Sequence, residues 1–244
     1  MNRQEALVIG ANSDIGQSVA TALKDTEEVD NVHLVSRKPI TNTSLLNSSA
    51  FKTYICDNKE DSIKRVLQEI YSAGSSPSSI VICNGILHSN KTSPERRLEH
   101  ISSSSLEKIF RINAIIPILW LSELINHLSK TSPSVVAVLS ARVGSITDNK
   151  LGGWYSYRAS KSALNMLLKT AAIEYSRRNQ MVKLLSLHPG TVDTKLSKPF
   201  QRSIPKEQIF TPDYAASRLL KIMKSISHDG ELGYLDWEGK EIPW

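Results

Sequence analysis

Cysteine is scarce in this sequence of 244 residues, which contains only Cys56 and Cys83. The two lie far apart in strand-like segments, so a disulfide framework is not expected. We predict buried free thiols in a reducing compartment, which implies a cytoplasmic location. The six histidines show no HExxH or CxxC-like spacing, and no metal site is therefore expected.

Long hydrophobic runs are also absent. No stretch reaches the ~18 apolar residues that a membrane-spanning helix needs, and the N-terminus lacks the apolar region and cleavage site of a signal peptide. The formal net charge is +6, but no run of five or more basic residues occurs. A solvated surface explains this scattered charge better than a binding platform does. Neither a membrane nor a nucleic acid is therefore an expected partner.

Short apolar segments and helical patterns alternate along the whole chain. Strands are expected at 5–10, 32–36, 52–57, 79–83, 134–140, 181–187 and 231–235. Helices are expected at 15–23, 59–73, 104–129, from Tyr157 onward and at 212–225. This alternation favours a parallel sheet with helices on both faces. Because no internal repeat or linker divides the chain, residues 1–244 are expected to form one α/β domain.

A glycine-rich turn, Gly10-Ala11-Asn12-Ser13-Asp14-Ile15-Gly16, directly follows the first expected strand and opens a helix. One glycine allows a tight turn. Another lets the backbone approach a pyrophosphate at the helix N-terminus, where free N–H groups and the helix dipole favour anions. The turn predicts dinucleotide binding through Gly10, Asn12, Ser13, Asp14, Ile15 and Gly16. The alternative is a plain strand–helix connection with Asp14 as the helix N-cap.

The end of the second expected strand indicates which dinucleotide is bound. In such folds an acidic residue near this point bonds the ribose 2′-hydroxyl, whereas an arginine accommodates a 2′-phosphate. This chain has no acid there; Ser36 is followed by Arg37 and Lys38. The sequence therefore favours NADP(H) over NAD(H). The alternative is that Arg37 and Lys38 are ordinary solvated charges.

Polar and glycine residues recur where later strands end. Asn84-Gly85 follows the fourth strand, Ser140 the fifth and Pro189-Gly190-Thr191 the sixth, while Asn113 lies in the long helix. Ligands of open parallel sheets bind outside the carboxyl ends of the strands. We therefore expect these residues to converge on one site, although each could also be a simple turn or a satisfied helix residue.

Tyr157 and Lys161 are four residues apart in a segment with helical apolar spacing. Residues at i and i+4 share one face of a helix, so the phenol and the ammonium can meet. A nearby cation favours phenolate and lowers the phenol pKa from its usual value of about 10. Taken alone the pair could be chance on a solvated helix. The glycine-rich turn from Gly10 to Gly16, called the phosphate turn below, and the polar residues at the later strand ends instead favour a catalytic pair.

Together these motifs resemble those of the classical short-chain dehydrogenase/reductase family over essentially the whole chain. The matching segments are Gly10-x-x-x-Asp14-x-Gly16, Asn84-Gly85, Asn113, Tyr157-x-x-x-Lys161 and Pro189-Gly190-Thr191. Three further segments are similar to the C-factor-like subgroup, named for a cell–cell signalling protein, and to carbonyl reductases: 144–149, 152–155 and 233–237. The resemblance implies a Rossmann-type doubly wound parallel sheet of about seven strands.

The resemblance also implies roles for individual residues. Tyr157 would be the general acid or base, and Lys161 would bond the nicotinamide ribose and hold the tyrosine pKa down. Asn113 would position a water, and a serine after the fifth strand would orient the substrate carbonyl. Asp57 would meet the adenine. The segment that contains Pro189, Gly190, Thr191, Val192 and Thr194 would hold the nicotinamide carboxamide.

Two departures from the family pattern stand out. Asp14 replaces the usual middle glycine of the phosphate turn, and its charge opposes a pyrophosphate unless it points away. The usual catalytic serine falls on Ala141, one residue after Ser140. Three explanations are open: a backbone bend brings Ser140 into the site, Ser145 substitutes, or the site works without a serine. We predict that Ser140 serves.

The function expected from these observations is reduction of a small-molecule carbonyl, or the reverse oxidation of an alcohol, with NADP(H). A mobile substrate loop is expected at about 192–210, where Leu196, Phe200 and Ile204 would contact substrate. The alternative is a dinucleotide-binding signalling or sensor protein of the C-factor type without obligatory turnover. The resemblance implies a homodimer or homotetramer through the long helices.

Overall fold

Nine strands and seven α-helices organise the computed structural model, which describes residues 4–89 and 92–244. The strands are β1 Gln4–Ile9, β2 Val29–Ser36, β3 Phe51–Ile55, β4 Pro77–Ile82, β5 Ser134–Leu139, β6 Val182–His188, β7 Thr191–Val192, β8 Ile209–Phe210 and β9 Gly233–Asp236. The helices are α1 Asp14–Lys24, α2 Thr43–Leu46, α3 Glu60–Ser72, α4 Ser103–Phe110, α5 Ile116–Leu124, α6 Tyr155–Arg178 and α7 Pro212–Ser225.

Seven of the strands form one sheet in the order β3-β2-β1-β4-β5-β6-β9, and every neighbouring pair is parallel. The chain order reverses between β1 and β4, which is where ligands of such sheets bind. The expected Rossmann-type doubly wound sheet is therefore confirmed.

Both faces of the sheet are buried. In β1, Leu7 and Ile9 belong to one core cluster, and Ala6 and Val8 belong to the other. Successive strand residues point to opposite faces, so a strand covered on both sides must be apolar throughout. Helices α3, α5 and α6 cover the first face, while α1 and α7 pack together on the second. No helix within 4–89 or 92–244 is long and apolar enough to cross a membrane.

The long helix expected at 104–129 begins at Ser103 and ends at Leu124. Ser102 is its N-cap, and its hydroxyl accepts the Ser105 N–H at 3.3 Å. A π-helical turn at 111–115 interrupts it, where the Ile116 N–H donates to the Arg111 carbonyl. Pro117 follows at once. Proline lacks an N–H and its ring crowds the carbonyl four residues earlier, so the wider turn accommodates it.

A second, two-stranded sheet was not expected from the sequence. Thr191 pairs with Ile209, and Val192 pairs with Phe210. The chain between these strands is the predicted substrate loop, and it contains 3₁₀ turns at Lys198–Ser203 and Lys206–Gln208. Two-residue strands carry too little periodicity to be recognised in a sequence. Their pairing closes the loop at its base.

Candidate active site

A cavity of about 370 Å³ lies at the carboxyl ends of the central strands. Most of the predicted site residues line it: Asn12, Ser13, Asp14, Ile15, Asn84, Gly85, Ser140, Tyr157, Lys161, Pro189, Gly190, Thr191, Val192 and Thr194. The other predicted residues lie outside its lining: Gly10, Gly16, Ser36, Arg37, Asp57 and Asn113. Of the residues expected to converge, those after the fourth, fifth and sixth strands line one cavity, whereas Asn113 lies outside its lining.

The glycine-rich turn is shaped to leave space beside a helix N-terminus. Gly10 has φ +81°, and a Cβ there would lie 3.1 Å from the Asn84 backbone nitrogen. A Cβ on Gly16 would lie 2.7 Å from the Gly10 carbonyl oxygen. The N-cap of α1 is Ser13, whose hydroxyl accepts the Gly16 N–H at 3.0 Å. Because the first N–H groups of a helix have no intrahelical acceptor, this turn fits a pyrophosphate.

The Asp14 carboxylate points toward the start of the predicted substrate loop. Its carboxylate accepts the Lys195 backbone N–H at 3.0 Å, and Asp14 is the first residue of α1 rather than its cap. The contact ties the phosphate turn to the start of the loop. The Asp14 carboxylate thus has a hydrogen-bond donor of its own in the loop.

The residues expected to select the cofactor lie farther along the same edge of the sheet. The Ser36 hydroxyl donates to the Lys38 carbonyl at 2.6 Å, and the Asn12 amide donates to the same carbonyl at 2.9 Å. These bonds fix the connection after β2 against the phosphate turn. Arg37 is exposed and makes no ion pair or hydrogen bond with any residue that the structure describes. Its guanidinium is therefore available to a ligand.

Asp57 follows β3 at the outer part of this edge and is exposed. Its carboxylate accepts the Lys59 backbone N–H at 3.0 Å, and that hydrogen bond lowers the carboxyl pKa. An ionised carboxylate is thus present where the resemblance implies an adenine contact.

Tyr157 and Lys161 face the cavity from the first turns of α6. The Lys161 ammonium lies 6.0 Å from the centre of the Tyr157 ring and donates to the Leu139 carbonyl at 2.8 Å. Burial raises the pKa of Tyr157 to about 12 and lowers the pKa of Lys161 to about 7. The expected lowering of the tyrosine pKa is therefore not found in this structure. Desolvation disfavours both charged forms and outweighs the ammonium at this separation.

Asn113 supports the cavity from behind. Its Oδ1 accepts the Ile86 N–H at 2.8 Å, while its Nδ2 donates to the Ile86 carbonyl at 2.9 Å and to the Ser160 hydroxyl at 3.0 Å. The side chain thus joins the loop after β4 to the helix that carries Tyr157. The buried Oδ1 of nearby Asn84 has no partner among the described residues. An orphaned acceptor on the cavity wall is consistent with a polar ligand there.

The structure shows which way the side chains at and near the expected serine position point. The Ser140 hydroxyl is buried and donates to the Asn165 Oδ1 at 2.8 Å. Ala141 continues the extended backbone with φ −155°, so its methyl group points the opposite way and packs against Leu87 and Tyr157. Ser145 instead accepts the Asp148 N–H at 3.0 Å, outside the cavity. A methyl group therefore faces the cavity where the resembled family has a hydroxyl.

Apolar side chains complete the wall beside Tyr157. Leu87, Val143, Trp154, Leu196, Phe200 and Ile204 line the cavity. Trp154 meets the Tyr157 ring edge-on at 6.2 Å and the Phe200 ring at 5.1 Å. Such a wall suits a substrate with an apolar body.

His188 also lines the cavity and was not identified from the sequence. Burial lowers its pKa to about 4, so the ring is neutral at pH 7. Its Nδ1 is buried without a partner among the described residues. Only its position before Pro189-Gly190 could have signalled it.

Glu95 lies outside the cavity lining but contacts the start of α6, and it was not identified from the sequence. It is 2% exposed, and its carboxylate accepts both the N–H and the hydroxyl of Ser156, next to Tyr157. Its backbone carbonyl accepts the Trp154 N–H at 2.6 Å. Trp154, the residue before α6, supplies no side-chain cap and has φ +52°. A buried acid from a distant loop therefore caps the helix that carries Tyr157 and Lys161.

Comparisons with known proteins agree with this geometry. The family model for the short chain dehydrogenase matches residues 4–204. C-signal of Myxococcus xanthus is 30% identical over 147 residues, which cover 60% of this chain and 83% of that protein. The structure of carbonyl reductase Sniffer of D. melanogaster has a TM-score of 0.86 at 19% identity, covering both chains completely. NADPH-bound carbonyl reductase from chicken fatty liver has a TM-score of 0.85 at 21% identity, covering 100% of this chain and 95% of that one.

Replacing Glu95 tests the cap. Glu95→Ala removes hydrogen bonds to a buried carboxylate and is expected to cost about 2 kcal/mol of unfolding free energy or more. Glu95→Gln, which keeps one acceptor oxygen, should cost less. Urea denaturation of each variant measures this, with exposed Glu99→Ala as the control. Equal stability of Glu95→Ala and Glu99→Ala would contradict the capping role.

Proposed function

Because the chain belongs to the short chain dehydrogenase family, we propose that it is an NADP(H)-dependent oxidoreductase that interconverts a carbonyl and an alcohol. The observation that carries this proposal is the placement of Tyr157 and Lys161 on the same cavity as the phosphate turn. The proposed proton donor and the proposed dinucleotide site then share one cavity. The apolar wall beside Tyr157 leaves room for the substrate.

The residues present fit a nicotinamide dinucleotide. The turn from Gly10 to Gly16 would hold its pyrophosphate, and Asn84-Gly85 and the segment from Pro189 to Thr194 would hold the nicotinamide end. When bound, the cofactor supplies or accepts the hydride, and the protein supplies orientation and proton transfer.

Tyr157 is proposed to give its phenolic proton to the carbonyl oxygen during reduction. Because burial raises its pKa to about 12, the phenol is protonated throughout the physiological range and is ready to act as an acid. Its hydroxyl has no hydrogen-bond partner in the described part of the chain and is free for a substrate. The same burial makes the phenolate costly in both directions, because it is left after proton donation in reduction and is the base in alcohol oxidation.

Lys161 is proposed to stabilise the phenolate that remains after proton transfer. Its ammonium is bound to a neutral carbonyl, that of Leu139, so no carboxylate cancels its charge. We further propose that Asn113 positions a water next to Lys161. Its fixed contacts with Ile86 and Ser160 support this by holding the two sides of that space in place.

The substrate side of the site lacks a hydroxyl at Ala141. We propose that Ser140 contributes through Asn165, whose Oδ1 also accepts the Ser186 hydroxyl at 2.8 Å. This contact links the residue after β5 with β6 and α6 at the cavity wall. Ser140 would then hold the wall in place instead of touching the carbonyl, which revises its expected role.

A second function is supported by two observations. The first is the absent hydroxyl at Ala141, and the second is the 30% identity to a protein named C-signal. A chain that binds the dinucleotide and signals without obligatory turnover is consistent with both. Cofactor binding without Tyr157-dependent turnover on a panel of aldehydes and ketones would favour this candidate over the enzyme.

Assembly through the long helices is a further part of the proposal. Ile115 on the π-turn is 41% exposed, and Met166 and Ile173 on α6 are 67% and 42% exposed. Apolar side chains on these helices suit a homodimer or homotetramer. Light scattering of the purified protein gives the mass that decides this.

The free, buried Cys56 and Cys83 support the proposed cytoplasmic location.

The proton donor is tested by Tyr157→Phe, which removes one hydroxyl. It should lower kcat for carbonyl reduction about 1000-fold, in the range of lost general acid catalysis. Ser140→Ala should lower it about tenfold or less, because only a supporting hydrogen bond is lost. Ala141→Ser should raise it if a hydroxyl facing the cavity helps to orient the carbonyl. A Tyr157→Phe variant with unchanged turnover would contradict the enzyme proposal.

The pH dependence of reduction follows from Lys161. Its ammonium is charged below its pKa of about 7 and loses its proton above it. Because the charge stabilises the developing phenolate, kcat/KM for reduction should fall as pH rises through about 7. Lys161→Arg keeps its charge across this range and should show no such fall, even at a lower overall rate. An identical pH profile in both proteins would disprove the assignment.

Cofactor preference is tested at Arg37. Arg37→Ala should weaken NADPH binding about tenfold and leave NADH binding nearly unchanged. The reason is that the guanidinium would contact the 2′-phosphate, which only NADPH carries. Lys38→Ala is the matched comparison, since it removes the neighbouring exposed cation. Fluorescence titration with both cofactors measures the effect. Equal losses of affinity for NADPH and NADH would show that Arg37 does not bind the 2′-phosphate.

A further inference from the structure

A second cavity of about 830 Å³ opens directly beside the first. Trp154 and Phe200 line both cavities, so the two volumes share one aromatic wall. The second cavity lies between the loop after β4 and the 3₁₀ turn Lys198–Ser203. We call it the outer groove.

The outer groove is positively charged. Its titratable lining residues are His88, Arg96, Lys198 and Arg202, and no carboxylate among the described residues lines it. Because such a cleft has low-dielectric walls on one side, it concentrates the field of its charges and attracts anions.

Two of the basic residues already have partners, and two do not. The Lys198 ammonium pairs with the Asp193 carboxylate at 3.0 Å, and the His88 Nε2 contacts the Lys195 carbonyl at 3.1 Å. Arg96 and Arg202 are exposed and have no ion pair or hydrogen bond within the described ranges. Two uncompensated guanidinium groups therefore line one cavity. Each can bind a carboxylate or phosphate with paired N–H donors.

A path of aromatic contacts leads from Tyr157 to this groove. The Tyr157 ring meets Trp154, Trp154 meets Phe200 at 5.1 Å, and Phe200 meets His88 at 5.6 Å. A ligand with its carbonyl at Tyr157 would first cross the apolar wall. Its far end would then reach the arginines.

We propose that the natural substrate is a carbonyl compound with an anionic group at its far end, bound by Arg96 and Arg202. An apolar segment separates that anion from the reacting carbonyl and packs on Trp154 and Phe200. This inference rests on the proposed function, because it takes Tyr157 as the reaction centre. It adds the chemical class of the substrate, which the catalytic pair does not specify.

Matched ketones test the anion site. The probes are acetophenones whose para chain ends in a carboxylate or in the corresponding primary amide, with propanoate, butanoate and pentanoate chains. At low ionic strength, kcat/KM should be about tenfold higher for the acid than for the amide at the best chain length. That ratio should fall about tenfold in Arg96→Glu/Arg202→Glu and should also fall with added salt.

The control variant is Lys64→Glu/Lys221→Glu, which changes the net charge equally at two exposed positions on α3 and α7 outside the groove lining. The acid-to-amide ratio should keep its wild-type value in this variant. A ratio near one in the wild-type protein at every chain length would overturn the proposal. Equal ratios in the two double variants would overturn it as well.

A binding measurement separates this proposal from the catalytic one. Calorimetric titration of the same acids and amides into NADP⁺-loaded protein reads the anion preference without turnover. If no ketone is reduced but the acid binds more tightly, and less so in Arg96→Glu/Arg202→Glu, the anion site stands and the proposed reaction fails. Equal binding of acid and amide overturns the anion site, whatever the turnover.

Discussion

The parallel pairing of β1 with β4 is the constraint on which the site depends. Ile9 lies opposite Ile82, so the two strands end side by side at one edge of the sheet. The turn at Gly10 and the loop at Asn84 then approach so closely that a Cβ on Gly10 would lie 3.1 Å from the Asn84 nitrogen. Because β5 and β6 point the same way, their following loops must arrive at the same edge. The glycine-rich turn, the segment from Pro189 to Thr194 and the Tyr157 hydroxyl meet there as a result.

Burial gives this site its electrostatic character. The same desolvation that raises the Tyr157 pKa lowers the Lys161 pKa, so near neutral pH the phenol holds its proton and the amine is only partly charged. Leu139 supplies Lys161 with a dipole instead of an opposite charge. The ammonium therefore keeps its full attraction for any negative charge that forms during the reaction. A carboxylate in the place of that carbonyl would have cancelled it.

Much of this arrangement could be predicted from local sequence signals. The strand–helix alternation, the glycine-rich turn and the Tyr157–Lys161 spacing depend on near neighbours. Glu95 could not be predicted, because its partner Ser156 lies far away in the sequence and no pattern links them. The side that Ser140 faces could not be settled either, since it depends on the backbone staying extended at Ala141. The raised pKa of Tyr157 required the extent of its burial, which only the packed structure gives.

The β7–β8 pairing has a consequence for how such a protein can change over generations. Its two strands hold residues 191–192 against residues 209–210 and so fix both ends of the intervening chain beside the cavity. The closure entropy of a loop grows only slowly with its length, so an anchored excursion tolerates insertions and replacements. The segment between these strands can therefore change in length and sequence while the seven-stranded sheet keeps its arrangement. Because Leu196, Phe200 and Ile204 of this segment line the cavity, such replacements would change the shape of the cavity wall.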